Sequence, residues 1–292
     1  MFKSAVRYSC LIPALLALLA PCAQADDHRF DAWNAPVQPF QVYGNTYYVG
    51  VQGLSAVLLT SPQGHILIDG AMPASPERIA ASIRALGFKV EDVKLILNSH
   101  THFDHAGGIA ELQRMSGAVV AASALSASAL EQGMPGKDDP QSADAHGFPP
   151  VPNVRRIGDG ETLRVGPLAV TAHFTPGHTP GGTTWTWSAC EAGRCASVVY
   201  ADSINPISSD GYRFSDHGNV LADLERSFKV FDSVPCDILL TVHPDNSNMW
   251  ERLAQARGKP HALLGDGDAC RALVSKVREA LRKRRAQERA GK

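Results

Sequence analysis

The chain has 292 residues, of which 44% are hydrophobic and 20% charged, the composition of a folded protein long enough to bury a large core. Its 28 basic and 29 acidic residues leave a formal net charge of -1, which excludes the basic footprint of a nucleic-acid binder. The length suits one domain with decorations.

The chain opens on a targeting signal. Lys3 and Arg7 precede the apolar run CLIPALLALLA (10–20), and AQA (23–25) puts small residues where a signal peptidase reads. Residues 1–25 are expected to be a secretory signal peptide, with the mature chain, 26–292, exported to the periplasm. The run is too short for a stable membrane span. An N-terminal anchor is the alternative, and a lipoprotein signal at Cys22 fits poorly after Pro21. Of the six cysteines, Cys10 and Cys22 leave with the signal. The remaining four allow three connectivities, and an oxidising compartment favours their pairing. The expected bonds are Cys190–Cys195, closing the turn CEAGRC, and Cys236–Cys270, tying a C-terminal helix to the body. The spacings suit cysteine-built zinc sites poorly.

A polar arm (26–40) leads into FQVYGNTYYVGV, SAVLLTS and HILIDG, strand-like runs rich in β-branched and aromatic residues. SPERIAASIRALGF (75–88) predicts a helix, with Ser75 at the N-cap and Ile79, Ile83 and Leu86 at helical spacing. VKLILNS (93–99) is an apolar strand, and GGIAELQRMSG, AVVAAS and ALSASALEQG continue as helix, strand and helix. Residues 133–153 break this pattern with five prolines and predict a long loop, functional or disordered. Then ETLRVGPLAVTAHFT predicts a hairpin, TTWTWSAC and ASVVYADS two strands, about 219–232 a helix, and CDILLTVHP another apolar strand. NMWERLAQA and ACRALVSKVREALRKRRAQERAG read as helices, the second with a basic tail expected to be solvated and frayed. Two strand-rich blocks, each carrying helices, predict an α/β fold of two sheets packed face to face with helices outside.

The chemistry concentrates at HTHFDH (100–105), between an apolar strand and a helix. His100 and His102 are two apart, so extended backbone aims both the same way. Imidazole suits zinc, a carboxylate such as Asp104 can join it, and a catalytic zinc takes three protein ligands. The segment offers two histidines in one direction and Asp104 with His105 in another, which makes halves of two sites. Each half needs one further ligand. TPGHTPGG supplies His178 and LLTVHPD supplies His243, both at strand ends beside turn formers. His28, His65, His146, His173, His217 and His261 have no such setting and are read as non-ligands, although the loop carrying His146 could fold over a site.

HTHFDHAGG resembles the HxHxDH signature of the metallo-β-lactamase fold superfamily. HILIDG, with Asp69, is similar to its early acidic strand end, and TPGHTPGG to its next metal-histidine turn. VVYADS and LLTVHP follow in the order of its last motifs, so the likeness runs from about 37 to 270. The resemblance implies an αββα sandwich of two mixed sheets with outer helices and a two-metal site along one edge. YADS, with Ser203 and no cysteine, resembles subclass B3 of the true β-lactamases, as do PGHTPGGTTWTW and VYGNTYYVG.

That resemblance implies two Zn2+ ions, one held by His100, His102 and His178, the other by Asp104, His105 and His243. It implies that Asp104 orients the nucleophile, that Asp69 orients a ligand histidine, and that Ser203, Asn205 and Ser208 meet the substrate carboxylate; for Asp69 a structural role at the strand end is the alternative. Asn205 departs from the pair of hydroxyl residues that related enzymes carry here. Other superfamily members use an aspartate at this strand end, and Asp202 adjoins Ser203. Neighbouring strand residues point to opposite faces, and Ser203 is the one expected to face the metals. The implied activity is zinc-dependent hydrolysis of the β-lactam amide bond, conferring antibiotic resistance. A lactonase or thioester hydrolase of the same fold is the alternative, and the ligand set argues against a zinc-binding protein without catalysis. The expected partner is a small-molecule β-lactam, with no nucleic acid and no membrane span, and the chain is expected to act as a monomer.

Overall fold

Side-chain alternation sets the layers of this protein, for which a computed structural model describes residues 30–291. The expected signal peptide, 1–25, lies outside the described residues. One sheet runs, in spatial order, β1 (Phe40–Tyr43), β2 (Thr46–Tyr48), β3 (Val57–Leu59), β4 (His65–Ile68), β5 (Val93–Leu97), β6 (Val119–Ser123) and β7 (Arg155–Ile157). Its first four strands pair antiparallel and the rest parallel. The other sheet is built from β8 (Thr162–Val165), β9 (Leu168–Phe174), β10 (Thr183–Glu191), β11 (Arg194–Ala201) and β12 (Ile238–Thr241), antiparallel except where β11 meets β12.

Successive residues of the central strands enter different cores. Ile66, Ile68, Leu95, Leu97, Val198, Tyr200, Ile238 and Leu240 meet between the sheets, around Trp185. Leu67, Ile96 and Val120 point the other way, beneath α1 (Pro76–Ala85), α3 (Ile109–Ser116) and α4 (Ala124–Gln132), while the single turn α2 (Phe103–Ala106) lies in the histidine cluster. Val199 and Leu239 pack beneath α5 (Gly218–Ser233) and α7 (Ala269–Arg289). A shorter helix, α6 (Met249–Ala256), lies between α5 and α7 in the chain. The four layers are the expected αββα sandwich. Both expected disulfides are present. Among the described residues, no helix is long and apolar enough to cross a membrane.

Two local expectations change, and one strand is additional to them. Ser75 occupies the N-cap of α1, but its hydroxyl accepts from Met72 N–H and donates to Asn34 Oδ1, which ties down the arm rather than capping the helix. The short edge strand β7 was not legible, because two of its three residues are exposed arginines. The basic tail is not frayed. The helix α7 stays ordered to Arg289 because Leu281 and Glu288 are buried. The Glu288 carboxylate accepts from Phe214 N, Ser215 N, Ser215 Oγ and Arg284 Nε at 2.6–3.0 Å, so an ion in a basic stretch has its charge fully partnered.

Replacing Cys236 and Cys270 by Ala opens a 34-residue closure and should cost about 3–4 kcal/mol in urea unfolding, against about 2 kcal/mol for Cys190 and Cys195, five apart. Burial raises the carboxyl pKa of Glu288, but hydrogen bonds from Ser215, Arg284 and Phe214 outweigh it and bring it to about 2 from an ordinary 4.5. The stability this ion contributes is therefore full above pH 4.5 and lost as pH falls toward 2. A plot of Tm against pH should fall less steeply across that window in Glu288→Gln than in the parent chain.

Candidate metal centre

The site hangs from strand ends. Asp69 follows β4 in the left-handed region, at φ 63°, and is fully buried. A non-glycine residue held there costs on the order of 1–3 kcal/mol and persists where its surroundings over-determine it. They do so here. Its carboxylate accepts from Ser99 N (2.7 Å), Ser99 Oγ (2.6 Å), Asn98 Nδ2 (3.3 Å) and Tyr200 OH (2.8 Å), and its own N–H donates to Leu97 O (2.8 Å). Burial raises its pKa against the pull of His105, Ser99 and Tyr200. Asp69 bonds no donor histidine directly; the Ser99 hydroxyl that donates to its carboxylate lies 3.4 Å from His100 Nδ1. Asp69 fixes the backbone from which His100 and His102 project. The glycines after the cluster permit close packing, since a Cβ on Gly108 would lie 2.2 Å from Gly70 O.

Two groups of donors form. His100, His102 and His178 make one, and Asp104, His105 and His243 the other, with the donor atoms of each group within 4.8 Å of one another. The switch between them is local. Extended backbone through His102 gives way to α2 at Phe103, so Asp104 and His105 leave the chain in another direction, although the rings of His100 and His105 stay 4.3 Å apart.

Most of these histidines spend their remote nitrogen elsewhere. His178 Nδ1 donates to Asn205 O (3.0 Å), His243 Nδ1 to Gly53 O (3.2 Å) and His102 Nε2 to Asp139 Oδ2 (3.1 Å). His100 Nδ1 lies 2.8 Å from Asp202 Oδ1 and 3.4 Å from Ser99 Oγ. Each tie fixes the tautomer and turns the other nitrogen's lone pair inward. Burial, then the like charge of neighbouring histidines, pushes His178 down to about 3, His243 to about 4 and His100 well below the usual imidazole range. These rings are neutral at pH 7, as ligands must be. Burial raises the Asp104 pKa, but His105 and His243 outweigh it and hold the carboxyl well below its usual range. Burial lowers His105, and Asp104 more than reverses it.

The donors fit a metal ion. His105 Nε2 and His243 Nε2 are 3.2 Å apart, and Asp104 Oδ2 lies 3.3 and 3.4 Å from them. A tetrahedral zinc with bonds near 2.05 Å separates its ligands by about 3.3 Å. With His243 Nδ1 donating to Gly53 O, its Nε2 lone pair aims at a second imidazole nitrogen, an arrangement that a cation between them reconciles. His100 Nε2 is buried without a protein partner, as a lone pair reserved for an ion would be.

Both groups line one cavity of about 490 Å³. Ser203 and Asn205 line it too, whereas Asp202 turns back against His100, so the neighbours serve opposite faces. Ser208 does not line it. Its Oγ accepts from Arg284 Nη2 and donates to Ser209 O, so the strand's exit loop has turned it outward. His146 lines the cavity but belongs to neither donor group. The 133–153 loop supplies a residue that sequence reasoning missed: Asp139, buried, which bonds His102 and caps Gln141 N–H. Gln141 itself comes within 3.4 Å of His178. No local signal marks Asp139 out from Asp138 beside it. The arm contributes Phe30 and Trp33, the latter ring 5.2 Å from that of His243.

The metallo-beta-lactamase superfamily pattern matches residues 49–259. A hydroxyacylglutathione hydrolase of Anaeromyxobacter dehalogenans (strain 2CP-C) is 30% identical over 223 residues, covering 76% of this chain and 71% of that protein. Among solved structures, the Rm3 metallo-beta-lactamase superposes with a TM-score of 0.85 at 53% identity, over 88% of this chain and 97% of its own. MEM-A1, a subclass B3 metallo-beta-lactamase isolated from a soil metagenome library, gives 0.86 at 52% identity, over 89% and 100%.

Asp139→Ala frees the His102 ring to rotate and change tautomer. Competition with a chromogenic chelator should show zinc held about tenfold more weakly than by the parent chain, with the far-ultraviolet spectrum unchanged.

Proposed function

We propose that this chain, which belongs to the metallo-β-lactamase superfamily, is a zinc-dependent β-lactamase that opens the β-lactam ring at its amide bond. The observation that carries the reading is the pair of three-donor groups facing one cavity, in a chain 53% and 52% identical to two metallo-β-lactamases along nearly their whole length. His100, His102 and His178 are assigned to one Zn2+, and Asp104, His105 and His243 to a second. Zinc bound there supplies Lewis acidity, making hydroxide available near neutral pH and polarising a carbonyl.

The chain's own groups do the rest. Asp104 is ionised, so it accepts a hydrogen bond from the attacking water and orients it. A C–O bond forms at the lactam carbonyl, the C–N bond breaks, and the departing nitrogen takes the proton that the attacking water gives up. Ser203 and Asn205 face the cavity and are assigned to the substrate's carboxylate. Phe30, Trp33 and Phe103 give the cavity an apolar wall against the ring system. No serine nucleophile is required. Residues 1–25 act as a signal peptide, and the mature domain, 26–292, works as a monomer in the periplasm, where β-lactams act and hydrolysis confers resistance.

A second reading, hydrolysis of a thioester or lactone, is favoured by the 30% identity to a hydroxyacylglutathione hydrolase. Purified mature protein should turn over a carbapenem or a cephalosporin, lose that activity to a chelator and regain it with zinc. Inert β-lactams beside turnover of a glutathione thioester or a lactone would transfer the site to the second reading. His178→Ala should lower kcat/KM for the β-lactam at least about a hundredfold while circular dichroism stays at the parent level.

A further inference from the structure

Between β11 and α5 the chain runs from Asp202 to His217 with a single turn of 3-10 helix, Phe214–Asp216, and no strand. Such a stretch has no ladder to set its position, so its hydrogen bonds to other elements must do so. One side of it supplies the cavity wall through Ser203, Asn205 and Ile207. The other side is held by the last turns of α7. Arg284 Nη2 donates to Ser208 Oγ (3.1 Å) and to Tyr212 O (2.8 Å), while its Nε donates to Glu288 Oε1 (3.0 Å). Glu288 in turn accepts from Phe214 N, Ser215 N and Ser215 Oγ. The Arg284 guanidinium also lies 5.9 Å from the centre of the buried Phe214 ring.

The hold passes to the facing loop. Ser209 N donates to Pro140 O (3.0 Å), and Asp144 N donates to Ser209 Oγ (3.3 Å). That loop carries Asp139 against His102 and Gln141 near His178. Both loop walls of the cavity are thus joined at Ser209 and referred to one helix end, which itself lines no part of the cavity.

We infer that Arg284, locked by Glu288, is a positioning residue that sets the substrate wall through Ser208 and Tyr212 and the facing 139–144 loop through Ser209. The inference rests on reading this cavity as the β-lactam site. Arginine is needed because a planar fork reaches three acceptors in two directions at once, which an ammonium on a flexible stem does not.

The test compares zinc-loaded parent, Arg284→Ala, Arg284→Lys and Ser208→Ala by steady-state kinetics and by amide hydrogen exchange. Arg284→Ala should raise KM for a cephalosporin about five- to twentyfold with kcat within about threefold, since the lost contacts orient substrate rather than the reacting atoms. Exchange should quicken about tenfold or more in 203–213 and 139–144 while β4 and β5 keep the parent rate. Arg284→Lys should recover part of both effects. Parent-level KM with parent-level exchange in those two segments overturns the inference, and so does faster exchange spread evenly over the chain with KM unmoved. Should Arg284→Ala fail to fold, Ser208→Ala decides: it keeps the Arg284–Glu288 pair, and the same local pattern in smaller measure is expected, whereas parent behaviour rejects the proposal. If the parent does not turn over β-lactams, the proposed function falls, and the exchange comparison still decides whether Arg284 positions these walls.

Discussion

The buried carboxylate of Asp69 is the joint on which the site depends. It stands at the end of β4, takes the backbone and side chain of Ser99 at the end of β5, and takes the phenol of Tyr200 from β11 in the opposite sheet. Three strand ends from two sheets are thereby fixed to one ionisable group that water does not reach. Its four hydrogen bonds offset both the burial of a carboxylate and a left-handed backbone that an aspartate adopts only under constraint. Such a joint has little tolerance, because an unfilled donor at any of its partners would be buried too.

Around this joint the site divides its labour by distance from the cavity. The inner atoms are the inward nitrogens and the Asp104 carboxylate. Behind them stand Asp139, Asp202 and the carbonyls of Gly53 and Asn205, which decide which nitrogen faces in. Behind those again stands the end of α7, which holds loops rather than ligands. Burial and crowding lower the pKa values of His100, His178 and His243, and the neighbouring histidines ionise Asp104 against its burial, so these four donors are already in the protonation state that binds a cation, whereas Asp104 favours a proton on His105 that a cation would displace.

Much of this was legible in the sequence. HTHFDH announces both donor groups because two-residue spacing and a following turn are local properties. His178 and His243 stand out because each ends an apolar run beside a turn former. The two sheets were legible because unbroken apolar and β-branched runs mark strands buried on both faces, between two cores. What was not legible depends on tertiary contact. Asp139 looks like Asp138 until the loop folds, Ser208 turns outward only because Arg284 waits there, and Glu288 gains its donors from a segment over 70 residues earlier, at Phe214 and Ser215. A resemblance supplied the grouping of ligands, but not the origin of their orientation.

The division between main chain and side chain at position 205 has a consequence for how this enzyme could drift. The carbonyl of Asn205 holds the His178 ring, and every residue type carries that carbonyl. The residue also lines the cavity, and its side chain takes no part in that bond. One position thus performs an invariant task with its backbone and a variable one with its side chain. Substitutions here can reshape what the cavity accepts without unsettling the imidazole behind it, so long as the turn keeps its path. Position 139 has no such freedom, because there the side chain itself is the partner. Selection for new substrates would therefore find position 205 permissive and position 139 closed, although both lie one contact away from a histidine of the same donor group.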